Sequence, residues 1–287
     1  MKFGLMYANG GPFAYPEMLT HLATTAERVG IESIWTVEHV AIPVGYKSTY
    51  PYDPSGKIPA PDQLPIPDPL VALAFAAAVT KKLRLATGIL ILPQRHPIYV
   101  AKEVATLDVL SKGRVILGVG VGWLAEEFQA LNISIDERAP RTSEAVRALR
   151  SLWQPGPSSF NGKFFHWNAL ESNPKPHRAS GIPIVVGGHT PLSARRAARY
   201  GDGFFPAVPS RDKLPPLLQI MREECQKLGR KPEEIEITAG AAFPDADMVR
   251  SFEDLGVTRI TIGPPGFDPD SITQGLHGFA DNVMSKL

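Results

Sequence analysis

Apolar positions along this chain switch repeatedly between two periods. A short apolar run gives way to a stretch with helical spacing, then a glycine, then another apolar run. Met18, Leu22, Ala26 and Val29 fall on one helical face, Gly30 can end that helix, and Ser33 to Val37 reads as the next strand. The same order returns at Arg199-Tyr200-Gly201 before Gly203-Phe204-Phe205, and at Asp254-Leu255-Gly256 before Thr258 to Ile262. Strands are expected near residues 3–8, 33–38, 83–90, 114–119, 182–187, 203–206, 235–240 and 258–262. Helices separate nearly every pair of them, which predicts a parallel α/β sheet. Eight such strands predict a closed (β/α)8 TIM barrel over an open doubly wound sheet.

Two stretches break the rhythm. Eight prolines fall from Pro43 to Pro69, which rules out a helix or inner strand and predicts a long loop after strand two. In a barrel that loop lies at the catalytic mouth, as a lid or substrate wall. The second break, Pro155 to Ser180, carries Phe160, Phe164, Phe165 and Trp167 around Asn161-Gly162. It predicts a small hairpin inserted before strand five, serving as structural cover.

Composition narrows the function. With 287 residues and 44% hydrophobic content, the chain is read as one domain spanning residues 1–287. Its 30 basic and 29 acidic residues nearly cancel, so no global field draws it to nucleic acid or to a membrane surface, and a small-molecule substrate is expected. Cys225 is the single cysteine, which excludes an internal disulfide and a cysteine zinc cluster and fits a cytoplasmic location. It shares a helical stripe with Leu217, Met221 and Leu228 and reads as inert core. The apolar run Val71 to Val79 is too short to span a bilayer. A homodimer is among the assemblies open to it, dimers being the commonest oligomers.

In this fold the active site is built at the C-terminal ends of the strands. Those ends offer Asn9, Glu38 with His39, Thr87-Gly88, Gly120 to Trp123, Gly187-Gly188-His189, Pro206, Gly240 and Gly263. They hold no Schiff-base lysine, no close carboxylate pair and no metal-ligand spacing, so no metal is expected and a cofactor must carry the reaction. Glycine at Gly88, at Gly120 with Gly122, and at Gly187 with Gly188 would let a flat tricyclic ring approach the backbone. Gly118, Gly120 and Gly122 do not complete a dinucleotide fingerprint, because Trp123 stands where the third glycine is required. Gly187-Gly188-His189-Thr190-Pro191 opens a helix and forms a ready anion site for a cofactor phosphate, strengthened by the Thr190 hydroxyl. His39, at a strand end beside Glu38, is the candidate proton-transfer group.

Several of these segments match a known family: Ser33-Ile34-Trp35-Thr36-Val37-Glu38-His39, Ala86-Thr87-Gly88-Ile89-Leu90, Leu110-Ser111-Lys112-Gly113-Arg114 running into Leu117-Gly118-Val119-Gly120-Val121-Gly122-Trp123, and Val185-Val186-Gly187-Gly188. The chain resembles the bacterial-luciferase-like oxidoreductases. That resemblance implies a barrel holding coenzyme F420 or FMN at the strand ends, with this chain closer to the deazaflavin branch. It implies that His39 acts as an acid/base or ring-positioning group, and that Thr87, Gly88 and Ile89 form a bulge supporting the ring. A non-proline cis bond is expected at Gly88–Ile89 or just before it. Gly187, Gly188, His189 and Thr190 match the turn receiving the phosphate, and Glu38, Gly120 and Gly122 complete the expected cofactor wall. Arg195 and Arg196 could supply charge to the deazaflavin's anionic tail. Family members that oxidise sugar phosphates carry an acid directly after the glycine run and a tryptophan four positions after the histidine. Here those places hold Trp123 and Pro43, so the implied substrate is a small, fairly apolar organic molecule. The expected activity is F420-dependent hydride transfer; the alternatives are an FMN-dependent monooxygenase and a non-catalytic cofactor-binding protein, against which an intact His39 counts.

Overall fold

A computed structural model describes residues 1–208 and 210–287. Its strands are β1 (Lys2–Leu5), β2 (Ser33–Thr36), β3 (Arg84–Thr87), β4 (Leu90–Ile91), β5 (Val115–Gly120), β6 (Ser158–Asn161), β7 (His166–Leu170), β8 (Ile184–Gly187), β9 (Gly203–Phe205), β10 (Glu236–Gly240) and β11 (Arg259–Ile262). The helices are α1 (Pro16–Val29), α2 (Pro69–Val79), α3 (Pro97–Leu110), α4 (Ala125–Ala130), α5 (Arg138–Leu152), α6 (Pro191–Tyr200), α7 (Leu214–Lys227), α8 (Ala246–Glu253) and α9 (Pro269–Asn282).

Eight strands run parallel in the order β3-β2-β1-β11-β10-β9-β8-β5, and β5 pairs back to β3 through Leu85 with Val115 and Ala86 with Ile116. That pairing closes the sheet into the expected TIM barrel. The expected strand 83–90 is divided: β3 ends at Thr87, a cis peptide links Gly88 to Ile89, and β4 resumes beside the end of β5, Leu90 opposite Val119. The ladder cannot run straight through there, because the alternation of inward and outward side chains is reset at the bulge.

Side chains alternate across the barrel wall. Trp35, Ala86, Ile116, Val185 and Phe205 point inward and pack with Met6; Trp35 meets Phe205 edge to face, ring centres 5.4 Å apart. Their neighbours Ile34, Leu85, Val115, Ile184 and Phe204 point outward into the shell between strands and helices. The wall is tight at Gly118, where a Cβ would stand 1.9 Å from the Thr87 carbonyl oxygen on β3. Helix α1 ends as read, with Gly30 left-handed at φ 90°. Strands β6 and β7 make the expected antiparallel hairpin outside the barrel, Phe160 stacked on Trp167 at 5.1 Å. Among the described residues no helix is long and apolar enough to cross a membrane.

The base of the barrel is closed by charge. Arg259, fully buried on β11, donates to Glu32 at 2.9 and 3.0 Å and to Glu236, while Lys2 also pairs with Glu236 and Arg84 lies 3.7 Å from Glu32. Burial pushes the Glu32 and Glu236 carboxyls up, but Arg259 outweighs it and holds both below their usual range. The Arg259 guanidinium also lies 5.5 Å from the Trp35 ring centre, under the interior aromatic layer.

Candidate active site at the barrel mouth

His39 leaves the end of β2 with its side chain only 12% exposed, and its Nδ1 lies 3.1 Å from Glu127 Oε2 on α4. The other oxygen of Glu127 accepts from the backbone N–H groups of Val40 at 2.7 Å and Ala41 at 3.2 Å. One buried carboxylate thus fixes both the imidazole and the chain leaving it. Burial pushes Glu127 up; the hydrogen bonds from His39 and from the backbone outweigh it and hold the carboxyl below its usual range. An ionised acceptor requires Nδ1 to carry its hydrogen, which leaves Nε2 free to exchange a proton. The Gln94 amide stands near this carboxylate without a close hydrogen bond, its oxygen and nitrogen both buried and unpartnered.

Glu38, expected in the cofactor wall, points behind the bulge instead. Its carboxylate accepts from the Ile91 N–H and, at 2.8 Å, from Arg95 Nε; Arg95 is itself held by Asp68, the N-cap of α2. With both oxygens engaged, Glu38 secures β4 from the rear and so fixes the position of Ile89. Thr87 is likewise spent on the wall, its hydroxyl donating to the Gly118 carbonyl at 2.6 Å.

The glycines at the strand ends have a local cause. A Cβ on Gly120 would lie 2.4 Å from Ile89 Cδ1, and one on Gly187 would lie 2.6 Å from Ile89 Cγ2. A Cβ on Gly122 would meet Phe128 at 2.7 Å, one on Gly188 would meet Ser193 at 2.8 Å, and one on Gly88 would touch Met6 at 3.0 Å. The room that the sequence suggested for a flat ring is therefore filled at Gly120 and Gly187 by the Ile89 side chain, which the bulge thrusts across two neighbouring strand ends. A ring at this mouth would rest on Ile89, with these glycines one layer below.

The proline-rich stretch folds over the mouth as a wall of aromatics. Trp123 meets His39 edge to face at 5.7 Å, Tyr46 at 5.6 Å and Tyr50 at 5.2 Å, and Tyr52 reaches across to His189 at 5.0 Å. Burial pushes the phenol of Tyr50 up and the neighbouring tyrosines add to it, so it remains a hydrogen-bond donor at neutral pH. The loop is latched to α4 by Glu126, whose carboxylate accepts from the Lys47 and Ser48 N–H groups at 2.6 and 3.1 Å and from the Ser48 hydroxyl at 2.7 Å. Asn9 pins the loop's two ends, bonding Val37 twice and the Pro67 carbonyl at 2.8 Å.

At the end of β8, Thr190 caps α6 in a reciprocal box. Its hydroxyl accepts from Ser193 N–H at 3.2 Å, and its own N–H donates to Ser193 Oγ at 3.0 Å. The box uses the Thr190 N–H that the sequence offered to a phosphate, while the hydroxyl hydrogen stays available. His189 beside it keeps Nδ1 buried and unpartnered, and burial pulls its pKa down, so it is a neutral ring at physiological pH.

The structure thus gathers His39, Ile89, His189 and Thr190 around one mouth and assigns Glu38, Thr87 and the glycines to the layer supporting it. Three residues were missed by sequence reasoning. In the sequence Glu126 and Glu127 are two acids in the first turn of a short helix, and the one available signal is their place shortly after the strand end at Gly120 to Trp123. Gln94 carried no signal. Among the described residues no cluster of three or more candidate ligands could hold a metal.

The chain is 32% identical to an uncharacterised protein of Mycobacterium tuberculosis over 96% of its own length and 99% of that protein. It is 25% identical to the 5,10-methylenetetrahydromethanopterin reductase of Methanopyrus kandleri, covering 87% of this chain and 69% of that one. A solved monooxygenase from Streptomyces bottropensis superposes with a TM-score of 0.77 at 24% identity, covering 100% and 99% of the two chains. An F420-dependent secondary alcohol dehydrogenase, solved with an F420–acetone adduct, gives 0.77 at 20% identity over 99% and 98%. These two structures establish the fold. A family described as luciferase-like monooxygenase matches residues 1–247, and the chain belongs to that family.

Proposed function

We propose that this mouth exchanges hydride between coenzyme F420 and a small, fairly apolar organic substrate, with His39 as the acid/base. The observation that carries this reading is the His39–Glu127 pair at the strand ends. It is an oriented imidazole with one nitrogen committed to a buried carboxylate and the other free, past the end of β2, whose Thr36 pairs with Thr87 just before the bulge that presents Ile89. The residues fit a flavin-like group. Ile89 offers an apolar face, the unpartnered Gln94 amide and His189 ring offer polar contacts, and the Thr190 turn at the start of α6 offers a helix terminus to a phosphate. Thr87, Gly88, Gly120, Gly122, Gly187, Gly188 and Glu38 would hold that wall in shape. Bound there, the deazaflavin supplies or accepts the hydride. His39 Nε2 takes a proton from a substrate hydroxyl, or returns one to a carbonyl oxygen, while Glu127 steadies the imidazolium formed. Tyr50, Tyr52 and Trp123 exclude water and select for uncharged molecules.

Of the relatives named above, the F420-dependent alcohol dehydrogenase supports the deazaflavin, and the Streptomyces bottropensis monooxygenase supports the monooxygenase alternative. On our reading the chain acts as one cytoplasmic domain on small molecules, without nucleic-acid or membrane partners. Fluorescence titration of the apo-protein decides. F420 should bind at least about tenfold more tightly than FMN, a difference of about 1.4 kcal/mol. Tighter FMN binding with oxygen-dependent turnover would assign a monooxygenase, and equally weak binding of both would assign a non-catalytic protein.

A further inference from the structure

We propose that the half of the mouth formed by the ends of β9, β10, β11 and β1 is a subsite for a neutral aromatic ring of the substrate, with Tyr7 and Phe243 as its specificity-determining residues. The inference rests on the reading of this mouth as the active site, and not on which cofactor it holds.

The two halves of the mouth use glycine differently. At Gly88, Gly120 and Gly187 a Cβ would strike a neighbouring side chain at 3.0 Å or less. At Gly263, which follows β11 and is itself only part-exposed, a Cβ would meet nothing within 4 Å. At Gly240, which ends β10, it would meet only the Thr261 hydroxyl, at 3.8 Å. Ile89 fills the first half, and the second keeps its room.

Tyr7 and Phe243 stand on either side of that room in the sheet order β1-β11-β10, two residues past the end of β1 and three past the end of β10. Both have left-handed backbone, at φ 62° and 41°, a region that bulky side chains rarely enter. Sheet bonds hold Tyr7 there from both sides: the Met6 N–H donates to Ile262 at 2.8 Å and the Ala8 N–H to Trp35 at 3.1 Å. Shortly before Phe243, the Ala241 N–H donates to Thr261 at 3.0 Å. Glycine would meet the same turns at lower cost. Neither aromatic recovers that cost by burial, for Tyr7 is 54% exposed and Phe243 50%. Strain at two exposed aromatics beside one open space points to a ligand that they contact.

Composition selects that ligand. Residues 6–8, 206–208, 240–243 and 263–267, which leave these four strands, include no charged side chain. An ion would find no partner among them to replace its water, whereas glycine, alanine and proline offer flat apolar surface. One strand separates β1 from β10, so their backbones stand about 10 Å apart, room for one planar ring with an aromatic wall on each side. Asn9 ties the end of β1 to Val37 at 2.8 and 2.9 Å, so the subsite adjoins the strand end that carries His39.

The test uses three probes: acetophenone, cyclohexyl methyl ketone, which has similar size without a planar ring, and the charged aryl ketone phenylglyoxylate. NMR titration reads their affinities on the protein alone and with F420 or FMN added. Wild type should bind acetophenone about fivefold more tightly than cyclohexyl methyl ketone, and phenylglyoxylate most weakly. Tyr7→Gly and Phe243→Gly should each weaken acetophenone binding at least about threefold and narrow its lead over the cyclohexyl ketone. Because glycine relieves the strained backbone, each variant should melt no more than about 4 °C below wild type. A larger fall assigns the two aromatics to holding the fold and overturns the proposal. Tyr7→Asn and Phe243→Asn, which also suit left-handed backbone, replace any glycine variant that fails to fold. Equal binding of the two neutral ketones by wild type, or undiminished acetophenone binding by the variants, overturns it as well. If no secondary alcohol reduces F420 on the protein, the hydride-transfer reading fails by itself, and the titrations still judge the subsite.

Discussion

The two ends of the barrel treat charge in opposite ways. At the base, Arg259, Arg84 and Lys2 meet Glu32 and Glu236 in a closed set, every member paired and the acids held ionised. At the mouth, one buried carboxylate holds a histidine that keeps a nitrogen free, the Tyr50 phenol is pushed up by burial, and the polar atoms of Gln94 and His189 Nδ1 have no partner. Both ends bury polar groups, which is costly wherever they stay unpaired. The base meets that requirement from within the chain, whereas the mouth leaves it to be met by whatever binds. Internal balance marks the end that holds the barrel shut, and its absence marks the end left open to a ligand.

The comparison breaks first at the base. Arg259→Ala takes the fully buried guanidinium from two half-buried carboxylates, leaving Glu32 with Arg84 and Glu236 with Lys2, and should lower stability by about 3 kcal/mol, read from denaturant melts. A loss below about 1 kcal/mol would mean that water already screens the network. At the mouth the ranking inverts: His39→Ala should lower turnover by about 100-fold or more with little change in the melt or in cofactor affinity. Unchanged turnover would demote the histidine to support. Glu127→Gln is the sharper probe, because the amide can donate as well as accept and no longer stabilises an imidazolium. It should lower turnover by about tenfold and displace the pH–rate profile; a drop in activity with the profile unmoved would leave the carboxylate only a packing role.

The smallest expected effect concerns the latch. The Ser48 hydroxyl and the backbone N–H groups of the loop lower the Glu126 carboxyl from the ordinary 4.5 to about 2. A depressed pKa means that the latch is fully made above the ordinary value and is lost as pH falls toward the depressed one. Trp123 packs against Tyr46 and Tyr50 and so reports loop closure. Its fluorescence, taken against a Trp123→Phe control, should hold steady down to about pH 4.5 and change between there and about pH 2. Ser48→Ala should move that change to higher pH.

Much of the barrel could be read in the chain because each βα unit repeats one local rule, and the positions of His39, Ile89 and Thr190 at strand ends follow from the same rule. What could not be read depends on partners far apart in sequence. Glu127 acquires its role from a histidine 88 positions away, and Arg259 from Glu32, 227 positions away. The glycines at 120 and 187 were legible as places needing space, but the occupant was not. A bulge that turns Ile89 across two strand ends is a tertiary event, invisible to any window of local pattern. Glu38 misled for a related reason: it stands beside His39 in sequence just past the end of β2, yet its carboxylate turns to Arg95 and the Ile91 N–H while His39 turns to Glu127.

Glu126 and Glu127 are neighbours on one short helix, their side chains about 100° apart, and each holds a different segment: the first the lid loop at Ser48, the second His39. Grafting a foreign loop between residues 40 and 68 inherits that coupling. A transplant that keeps a serine turn docked on Glu126 leaves α4, and with it the imidazole, where it stands. A transplant that discards the turn disturbs His39 along with the loop. The loop and the imidazole are therefore one cassette, and they should be exchanged together or with Lys47 and Ser48 left in place.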